Sequence, residues 1–296
     1  MQFLFLVQSI NFRKNQTMLL VADSGSTKTN WISVNKDRFE TIGFNPFFHS
    51  TASILEELKK NETLSAIAGT FTNVVFYGSG CSSVDRNQVV ADALKAFFTD
   101  AEIFVGHDME ASAFATYVGR PTISCIIGTG SNSCLFDGKA YSEVVPALGY
   151  VLGDEGSGSY FGKKLLTSFL YHQLPKATEK LLVEKYKVTK ENIFHAVYKE
   201  PHANVYLASF AKVLSESPDT EYIQQLVYEG INEFFKQHVC CYPNYQSYPV
   251  SFVGSIAHHF SDTVRQVAQS HGCEIGVIIQ QPIERLLEWH LQSSKS

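Results

Sequence analysis

The chain has 296 residues, of which 45% are hydrophobic and 18% are charged, and its formal net charge is −5. This composition is typical of a globular protein with a buried core, and the length fits one large domain or two ordinary ones. The acidic balance and the lack of a basic block exclude the electrostatic footprint of a nucleic-acid-binding protein. The six cysteines have neither the spacing of a zinc site nor that of a disulfide framework.

The N-terminal segment contains a short apolar run, MQFLFLVQSI, with no charge before it and no cleavage signal after it. The run is much shorter than the roughly 20 residues that a membrane span requires. The next apolar stretch begins at Met18, directly before LLVADSG. We therefore expect residues 1–17 to be an extension outside the fold. Because no export signal is recognisable, we also expect a cytoplasmic protein.

Strand and helix patterns alternate along the chain. Short apolar runs predict strands at 19–23 and 30–35 and in FTNVVFYG and AEIFVGH, and helical spacing predicts helices over 52–60, over 85–98 and in MEASAFATYV. A second series begins after Gly119–Pro121 with the hairpin TISCIIGTGSNSCLFDG, followed by a helical region from Gly153 to about Val239. The strand SYPVSFVGS, a helix over 256–271, a strand at 274–279 and the helix PIERLLEWHLQ complete the chain.

This alternation predicts an α/β fold with at least partly parallel sheets. The break at Gly119–Pro121 is the predicted domain boundary. It gives an N-terminal domain over 18–119 and a C-terminal domain over 120–296, with a helical insertion at about 160–240. A hairpin with a polar, glycine-containing turn occurs near the start of each domain, which indicates two related halves.

The two hairpin turns, DSGSTKT and GTGSN, have the composition of phosphate-binding turns. Glycines and small hydroxyl residues leave successive backbone N–H groups unpaired, and such groups form an anion-binding nest that phosphate can approach closely. Asp23 adds a carboxylate that could hold Mg²⁺, directly or through water. Each turn alone would also fit an ordinary hairpin, whereas the repetition favours a function.

Three further motifs place polar residues or glycines where a strand or a turn leads into a helix. Asp108 follows a predicted strand, where it could cap the next helix or take the proton of a hydroxyl that attacks a phosphoryl group. Asp154 and Glu155 lie in the turn GDEGSGS, where they could cap a helix or accept hydrogen bonds from sugar hydroxyls. Gly254 in VGSIA would give either a tight turn or a flat surface under a base.

Together and in this order, DSGSTKT, GTGSN, GDEGS and VGSIA resemble the motifs of the sugar kinase/Hsp70/actin ATPase superfamily. The chain is most similar to its N-acetylglucosamine kinase branch, which is grouped with the BadF/BadG-type ATPases, over about Leu19 to Gln292. The resemblance implies two ribonuclease-H-like α/β domains around a central cleft. It also implies a carbohydrate kinase that uses ATP and Mg²⁺ to phosphorylate an amino sugar.

The resemblance also assigns roles to individual residues. It implies Asp108 as the catalytic base and Asp23 as the Mg²⁺ ligand, directly or through water. The residues implied to bind ATP and its phosphates are Asp23, Gly25, Ser26, Thr27, Lys28, Gly128, Thr129, Gly130, Ser131, Gly254 and Ser255. The residues implied to bind the sugar are Asn45, Gly78, Asn132 and Asp154.

One position departs from the family pattern. Kinases of this branch commonly have a Trp before the acidic turn, in GGWGHMMGDEG or a similar stretch, whereas this chain has PALGYVLGDEG with Leu148 at that position. N-acetylglucosamine is therefore the first expectation, and N-acetylmuramic acid or another hexose derivative stays open.

Two other functions stay open as well. A dehydratase-activating ATPase of the same grouping would need an iron–sulfur cluster held by cysteines of two subunits, and a non-catalytic relative would only bind sugar or nucleotide. Asn45 and Asp154 count against the activator, and Asp108 counts against the non-catalytic relative. The expected partner is a small amino sugar, with no nucleic acid and no membrane, and the oligomeric state is open between a monomer and a homodimer.

Overall fold

A computed structural model of the chain describes residues 3–6 and 18–293. It divides into two compact units. The N-terminal unit comprises Phe5–Arg120, Gly138–Tyr141 and Gln281–Ser296, and the C-terminal unit comprises Met1–Leu4, Pro121–Asp137 and Ser142–Gln280, each within the described residues. The main division falls between Arg120 and Pro121, inside the break that the sequence indicates.

The first described strand, β1 (Phe3–Leu6), belongs to the segment that we expected outside the fold. It forms one edge of a six-stranded sheet. The sequence FLFL has high strand propensity, and the free N–H and C=O groups of a sheet edge can pair with any such segment. The expectation for residues 1–17 is therefore corrected at Phe3–Leu6. The rest of that segment lies outside the described residues.

The N-terminal unit is built on a five-stranded sheet. Its strands are β2 (Leu19–Ser24), β3 (Lys28–Ser33), β4 (Arg38–Ile42), β5 (Asn73–Gly78) and β6 (Glu102–His107), in the order β4-β3-β2-β5-β6. β2 runs antiparallel to β3 and parallel to β5, and β5 runs parallel to β6. The helices of this part of the chain are α1 (Thr51–Lys60), α2 (Glu62–Ile67), α3 (Val84–Phe97) and α4 (Asp108–Thr116). β2 and β5 are central and almost wholly buried, which explains their nearly continuous apolar sequences.

The C-terminal unit contains the six-stranded sheet. Its strands β7 (Thr122–Ile127), β8 (Ser131–Phe136), β9 (Ala140–Glu143), β10 (Val250–Val253) and β11 (Ile275–Ile279) follow β1 in the order β1-β9-β8-β7-β10-β11. β7 runs antiparallel to β8 and parallel to β10, and β10 runs parallel to β11. Apart from β1, this is the strand order of the N-terminal unit, so the two sheets share one topology.

A helical region is inserted between β9 and β10, as the sequence predicts. It contains α5 (Gly149–Leu152), α6 (Gly158–Leu170), α7 (Lys176–Glu184), α8 (Lys190–Tyr198), α9 (Ala203–Ser209), α10 (Val213–Glu216) and α11 (Thr220–Phe234). α11 continues into a π-helical turn, Phe235–Val239. The helix predicted over 256–271 is two helices, α12 (Ser255–His259) and α13 (Ser261–Ser270). No helix of the described residues combines the length and the hydrophobicity of a membrane span.

The last helix, α14 (Ile283–Ser293), corrects the predicted domain bounds, because it belongs to the N-terminal unit. It packs on α4, β2 and β3. The buried His290 lies against Tyr77, whose hydroxyl is 3.0 Å from His290 Nε2. The apolar stripe of α14 predicts an amphipathic helix, but such a stripe does not indicate which of two sheets it covers.

Candidate functional site

The turns after β2, β5, β7 and β10, and Asp108 after β6, lie at the carboxyl ends of strands. In the N-terminal unit β2, β5 and β6 end level with one another, since Ser24 pairs with Gly78 and Gly78 with His107. In the C-terminal unit, β7 and β10 lead into Gly128 and Gly254. Ligands of open α/β sheets bind at such strand ends.

The first turn, Gly25–Thr27, joins β2 to β3. Gly25 N–H donates to Lys28 O at 3.0 Å, and the N–H groups of Ser26 and Thr27 have no partner within residues 3–6 and 18–293. Two successive free amides are the anion-binding arrangement that the composition of DSGSTKT predicts.

The segment that follows β4 packs closely against this turn and is hydrogen-bonded to it. Gly43 N–H donates to Thr27 O at 3.0 Å, and a Cβ atom at Gly43 would overlap the backbone of Gly25 and Ser26. Phe44 N–H donates to Ser24 Oγ at 2.9 Å, and Ser24 Oγ lies 2.8 Å from Thr29 Oγ1. Gly43 is thus a residue that the sequence analysis missed. The sequence signal that could have identified Gly43 is its position directly before Phe44 and Asn45.

Two carboxylates lie near the first turn. Asp23 is the penultimate residue of β2, and Asp108 is the first residue of α4, after β6. Burial, and secondly the negative charge of Asp108, raise the pKa of Asp23 to about 7. Both causes mean that the Asp23 carboxylate lacks a compensating positive charge.

Asp108 itself is held by its neighbour on the chain. His107 Nε2 is 3.1 Å from Asp108 Oδ1. His107 N–H in turn donates to Glu110 Oε2 at 3.1 Å, which closes the first turn of α4. His107, rather than Asp108, is the N-cap residue, so the Asp108 side chain is not used for capping.

Lys28, expected at the phosphates, is engaged elsewhere. Its Nζ lies 2.7 Å from Glu40 Oε2 on β4, and both side chains are exposed. An exposed ion pair of this kind contributes about 1 kcal/mol or less, so a phosphate could compete for the ammonium group.

Asn45 and the glycine loop after β5 lie together in the N-terminal unit. Asn45 Oδ1 accepts from Phe47 N–H at 2.9 Å, and no partner for its Nδ2 group lies among the described residues. Gly80 has φ of +82°, and a Cβ there would touch Asn45 Oδ1, so the loop needs glycine at this position. Ser79 Oγ is buried and has no partner in the part of the chain that is described. Ser79 adjoins Gly78, the residue of this loop to which the resemblance assigns a sugar contact.

The second turn, Gly128–Gly130, joins β7 to β8 in the C-terminal unit. Gly128 N–H donates to Gly130 O at 3.0 Å, whereas the N–H groups of Thr129 and Gly130 have no partner among the described residues. The start of α6 docks on this turn, since Gly158 N–H donates to Gly128 O at 2.8 Å and Ser159 N–H to Thr129 O at 3.0 Å. The two units therefore contain equivalent turns, each with two free amides.

The acidic turn, Gly153–Gly156, is built against the second turn. Asp154 adopts a left-handed backbone with φ of +58°, and its side chain is buried. Its Oδ1 accepts from Ser131 N–H at 3.1 Å, and its Oδ2 accepts from Ser159 Oγ at 3.2 Å. Burial raises the pKa of Asp154, and these two hydrogen bonds oppose that shift.

Gly254 also reaches the second turn. It has φ of +128°, and a Cβ there would overlap the Ile127 carbonyl and Gly128 N. Ser255 is exposed at the start of α12, and Asn132 is buried in β8, where its Oδ1 accepts from Ser133 N–H at 2.8 Å. The structure thus gathers Gly128 to Asn132, Asp154 and Gly254 in one unit, and Asp23, Asn45, Gly78 and Asp108 with the first turn in the other.

The Asp23 carboxylate, completed by water and phosphate oxygens, would make a ligand set that fits Mg²⁺. Within residues 3–6 and 18–293, no group of three or more His, Cys, Asp or Glu side chains could hold a metal by itself. Mg²⁺ typically takes only one or two carboxylates and completes its shell with water and phosphate. A bound cation would provide the positive charge that Asp23 lacks, since the pKa of this carboxyl is raised to about 7.

Comparisons with solved structures define the class of protein first. A chain solved as "MreB 5 of Spiroplasma citri bound to AMPPNP" matches with a TM-score of 0.53 and 8% identity over 95% of this chain and 96% of that chain. A putative N-acetylglucosamine kinase from Chromobacterium violaceum matches with a TM-score of 0.60 and 13% identity over 93% and 99%. At these identities the likeness concerns the fold, which is that of the actin-like ATPases. The predicted fold class is confirmed.

A more similar structure defines the family. The putative N-acetylglucosamine kinase from Porphyromonas gingivalis has a TM-score of 0.84 and is 35% identical, over 93% of this chain and 99% of that chain. The present chain belongs to this N-acetylglucosamine kinase-like family of the sugar kinase/Hsp70/actin superfamily. A scan against protein-family models and a search of the curated proteins gave no match.

Proposed function

We propose that this protein is a carbohydrate kinase that transfers the terminal phosphoryl group of ATP to a hydroxyl of an amino sugar, with N-acetylglucosamine as the first candidate. The observation that carries the proposal is the pair of carboxylates, Asp23 and Asp108, at level strand ends beside a turn with free amides. The 35% identity to a putative N-acetylglucosamine kinase, over nearly its whole length, supports the substrate class.

In this proposal Asp108 is the general base. One of its oxygens, Oδ1, is fixed by His107 at 3.1 Å, which leaves Oδ2 for the proton of the attacking hydroxyl. A base in hydrogen-bond reach of the hydroxyl takes its proton as the new oxygen–phosphorus bond forms. Little other covalent chemistry is required of the protein, because phosphoryl transfer depends mainly on positioning and on neutralisation of charge.

The free amides of the two turns are the proposed phosphate ligands. Those of Ser26 and Thr27 in one unit, and of Thr129 and Gly130 in the other, can donate to phosphate oxygens without breaking an existing hydrogen bond. Mg²⁺ bound at Asp23 would neutralise the charge that develops on the transferred group. Gly254, without a side chain, leaves the surface beside the second turn open for the nucleoside.

Each unit contains a polar side chain with unused hydrogen-bonding capacity, and these side chains are proposed sugar ligands. The free Nδ2 group of Asn45 is a donor. The carboxylate of Asp154 accepts one hydrogen bond at each oxygen from the protein and retains lone pairs for a ligand. Asn132 and Gly78 are the further proposed contacts.

The proposal is tested by an assay that couples ADP release to a panel of sugars: N-acetylglucosamine, N-acetylmuramic acid, glucosamine and glucose. We expect ADP release to require both a sugar and Mg²⁺, and to be fastest with an N-acetylated sugar. ATP turnover that no sugar stimulates would contradict a kinase function. Stimulation by glucose alone would keep the kinase and reject the amino sugar.

Leu148 offers a test of which amino sugar is used. The residue is 54% exposed, and it lies against the acidic turn, because a Cβ at Gly153 would be 2.9 Å from Leu148 Cβ. If the family Trp favours N-acetylglucosamine over bulkier sugars, Leu148→Trp should raise the ratio of kcat/KM for N-acetylglucosamine to that for N-acetylmuramic acid. An unchanged ratio would mean that Leu148 does not contact the sugar.

A further inference from the structure

The π-helical turn after α11 places a buried histidine against the acidic turn. Cys240 N–H donates to Phe235 O at 2.8 Å, five residues back, which is the hydrogen bond of a π-turn. Such a turn inserts one extra residue into a helix and rotates the side chains that follow it, and it occurs frequently at functional sites. Here it directs His238 inward, where the residue is only 5% exposed.

His238 makes one side-chain hydrogen bond, and its partner is Glu155. His238 Nε2 lies 3.3 Å from Glu155 Oε2. The imidazole ring stacks on Phe234, with ring centroids 4.9 Å apart and planes at 17°. His238 Nδ1 is buried and has no partner within the described residues.

The protonation of His238 follows from these contacts. An ionised carboxylate only accepts hydrogen bonds, so Nε2 carries the hydrogen and donates it to Glu155. A second hydrogen, on Nδ1, would be buried without an acceptor. Burial accordingly lowers the pKa of His238, although the charge of Glu155 opposes the shift. The neutral imidazole is therefore a fixed donor to the acidic turn.

The backbone of the π-turn is tied to the same region. Ser133 Oγ donates to His238 O at 2.6 Å and lies 3.1 Å from the Tyr242 hydroxyl. On the other side of the acidic turn, Ser131 Oγ donates to Glu155 O at 2.8 Å. Strand β8, through Ser131 and Ser133, thus links the second turn, the acidic turn and the π-turn.

The contacts of His238 with the acidic turn also affect Asp154, which precedes Glu155. The left-handed backbone of Asp154 is less favourable than a right-handed one for any residue other than glycine, although Asp tolerates it better than most, and neighbouring hydrogen bonds stabilise it here. Asp154 is bonded by Ser131 and Ser159, and the next residue is bonded by His238. We propose that His238 is a positioning residue, which holds the acidic turn so that the Asp154 carboxylate stays in the geometry required for the sugar.

This inference rests on the proposed function only for its kinetic consequence. A matched pair of variants isolates the hydrogen bond from the packing. His238→Gln places an amide N–H near the position of Nε2, where it can still reach Glu155. His238→Asn places the amide near Nδ1, where it cannot.

The test is hydrogen–deuterium exchange of the turn in the free protein. The amides to follow are those of Ser157, Gly158 and Ser159, which are bonded to the acidic turn and the second turn. Since a hydrogen bond to a charged group contributes about 1.5 kcal/mol, these amides should exchange roughly tenfold faster in His238→Asn and close to the wild-type rate in His238→Gln. Exchange in β10 serves as the control and should not change.

Kinetics provide the second readout. KM for the sugar should rise about tenfold in His238→Asn and much less in His238→Gln, for the same hydrogen-bond energy. Equal exchange in wild type and His238→Asn would overturn the positioning role, whatever the activity. Faster exchange in His238→Asn, together with a wild-type protein that phosphorylates no sugar, would instead support the positioning role and reject the proposed function.

Discussion

The two units have the same strand order and equivalent turns, but they differ in how they compensate their buried ionisable groups. In the C-terminal unit, Asp154 receives two hydrogen bonds from Ser131 and Ser159. In the N-terminal unit, the Asp23 carboxylate has neither a hydrogen-bond donor nor a cation beside it among the described residues, and burial and Asp108 raise its pKa to about 7. The protein thus compensates the buried Asp154 carboxylate in part, whereas the Asp23 carboxylate is suited to receive positive charge.

The buried histidines differ in their partners, although burial lowers the pKa of both. His238 in the C-terminal unit donates to the carboxylate of Glu155. His290 in the N-terminal unit faces the hydroxyl of Tyr77, and burial lowers the pKa of His290 to about 4. The same topology therefore carries a buried carboxylate that is hydrogen-bonded by the protein in one unit and a carboxylate without such donors among the described residues in the other.

The largest effect is expected when one carboxylate is removed from each unit and the rates of sugar phosphorylation are compared. Asp108→Asn cannot take the proton of a hydroxyl, so we expect kcat for sugar phosphorylation to fall by roughly 10²- to 10⁴-fold. ATP affinity, measured by titration calorimetry, should change little. The control is Asp154→Asn, in which the smaller effect should appear mainly in KM for the sugar. Retained turnover in Asp108→Asn would remove this residue from the role of base.

A second way to test the comparison is acid unfolding of the N-terminal unit. The pKa of His290 is about 4 in the fold and near the usual 6.5 when unfolded. The unfolded chain therefore takes up the proton first, and the stability from this group is complete above pH 6.5 and lost as the pH falls to 4. The loss amounts to at most about 3 kcal/mol.

His290→Gln provides the control for that measurement. Glutamine keeps a polar group near the Tyr77 hydroxyl but does not titrate in this range. Urea unfolding at pH 7 and pH 4.5 should show a smaller pH dependence in His290→Gln than in wild type. The same pH dependence in both proteins would mean that His290 is not the group responsible.

Both turns could be predicted from the sequence because their local composition determines them. Glycine and small hydroxyl residues between two apolar strands are sufficient to predict a hairpin with free amides, and DSGSTKT and GTGSN both form one. β4 and β9 were not predicted. β4 has the exposed sequence RFETI, and its partner β3, not its own hydrophobicity, makes it a strand.

Other features had no local signal. The π-turn that directs His238 depends on packing around α11, and no residue pattern marks an inserted residue. The position of α14 depends on a choice between two sheets of the same topology. The left-handed backbone of Asp154 is decided by donors 23 residues earlier, at Ser131, and 5 residues later, at Ser159. Such contacts are visible only once the chain is folded.

A third prediction concerns the hydrogen bonds of Asp154. Asp154→Ala leaves the Ser131 N–H and the Ser159 hydroxyl buried without their acceptor, so we expect a loss of about 1–3 kcal/mol in the free energy of unfolding. Asp154→Asn keeps an acceptor for Ser131 and should lose less. Thermal unfolding of the ligand-free variants provides the measurement. An Asp154→Ala variant as stable as wild type would mean that these two hydrogen bonds do not stabilise the acidic turn.

The smallest expected effect is a gain in stability when Asp23 is replaced. This effect tests most directly whether the two units differ in how they compensate a carboxylate. The pKa of Asp23 is raised from 3.8 to about 7, so the folded state favours the protonated carboxyl. The stability from this group is complete below pH 3.8 and is lost as the pH rises through 7.

Asn cannot ionise, so Asp23→Asn should be more stable than wild type at pH 8 and equally stable at pH 4. The expected gain at pH 8 is about 1–2 kcal/mol after allowance for the partial exposure of the side chain. Urea unfolding at the two pH values, without nucleotide or Mg²⁺, measures the difference. Equal stability at pH 8 would mean that the charge of Asp23 is already compensated, and the two units would then not differ in the way described.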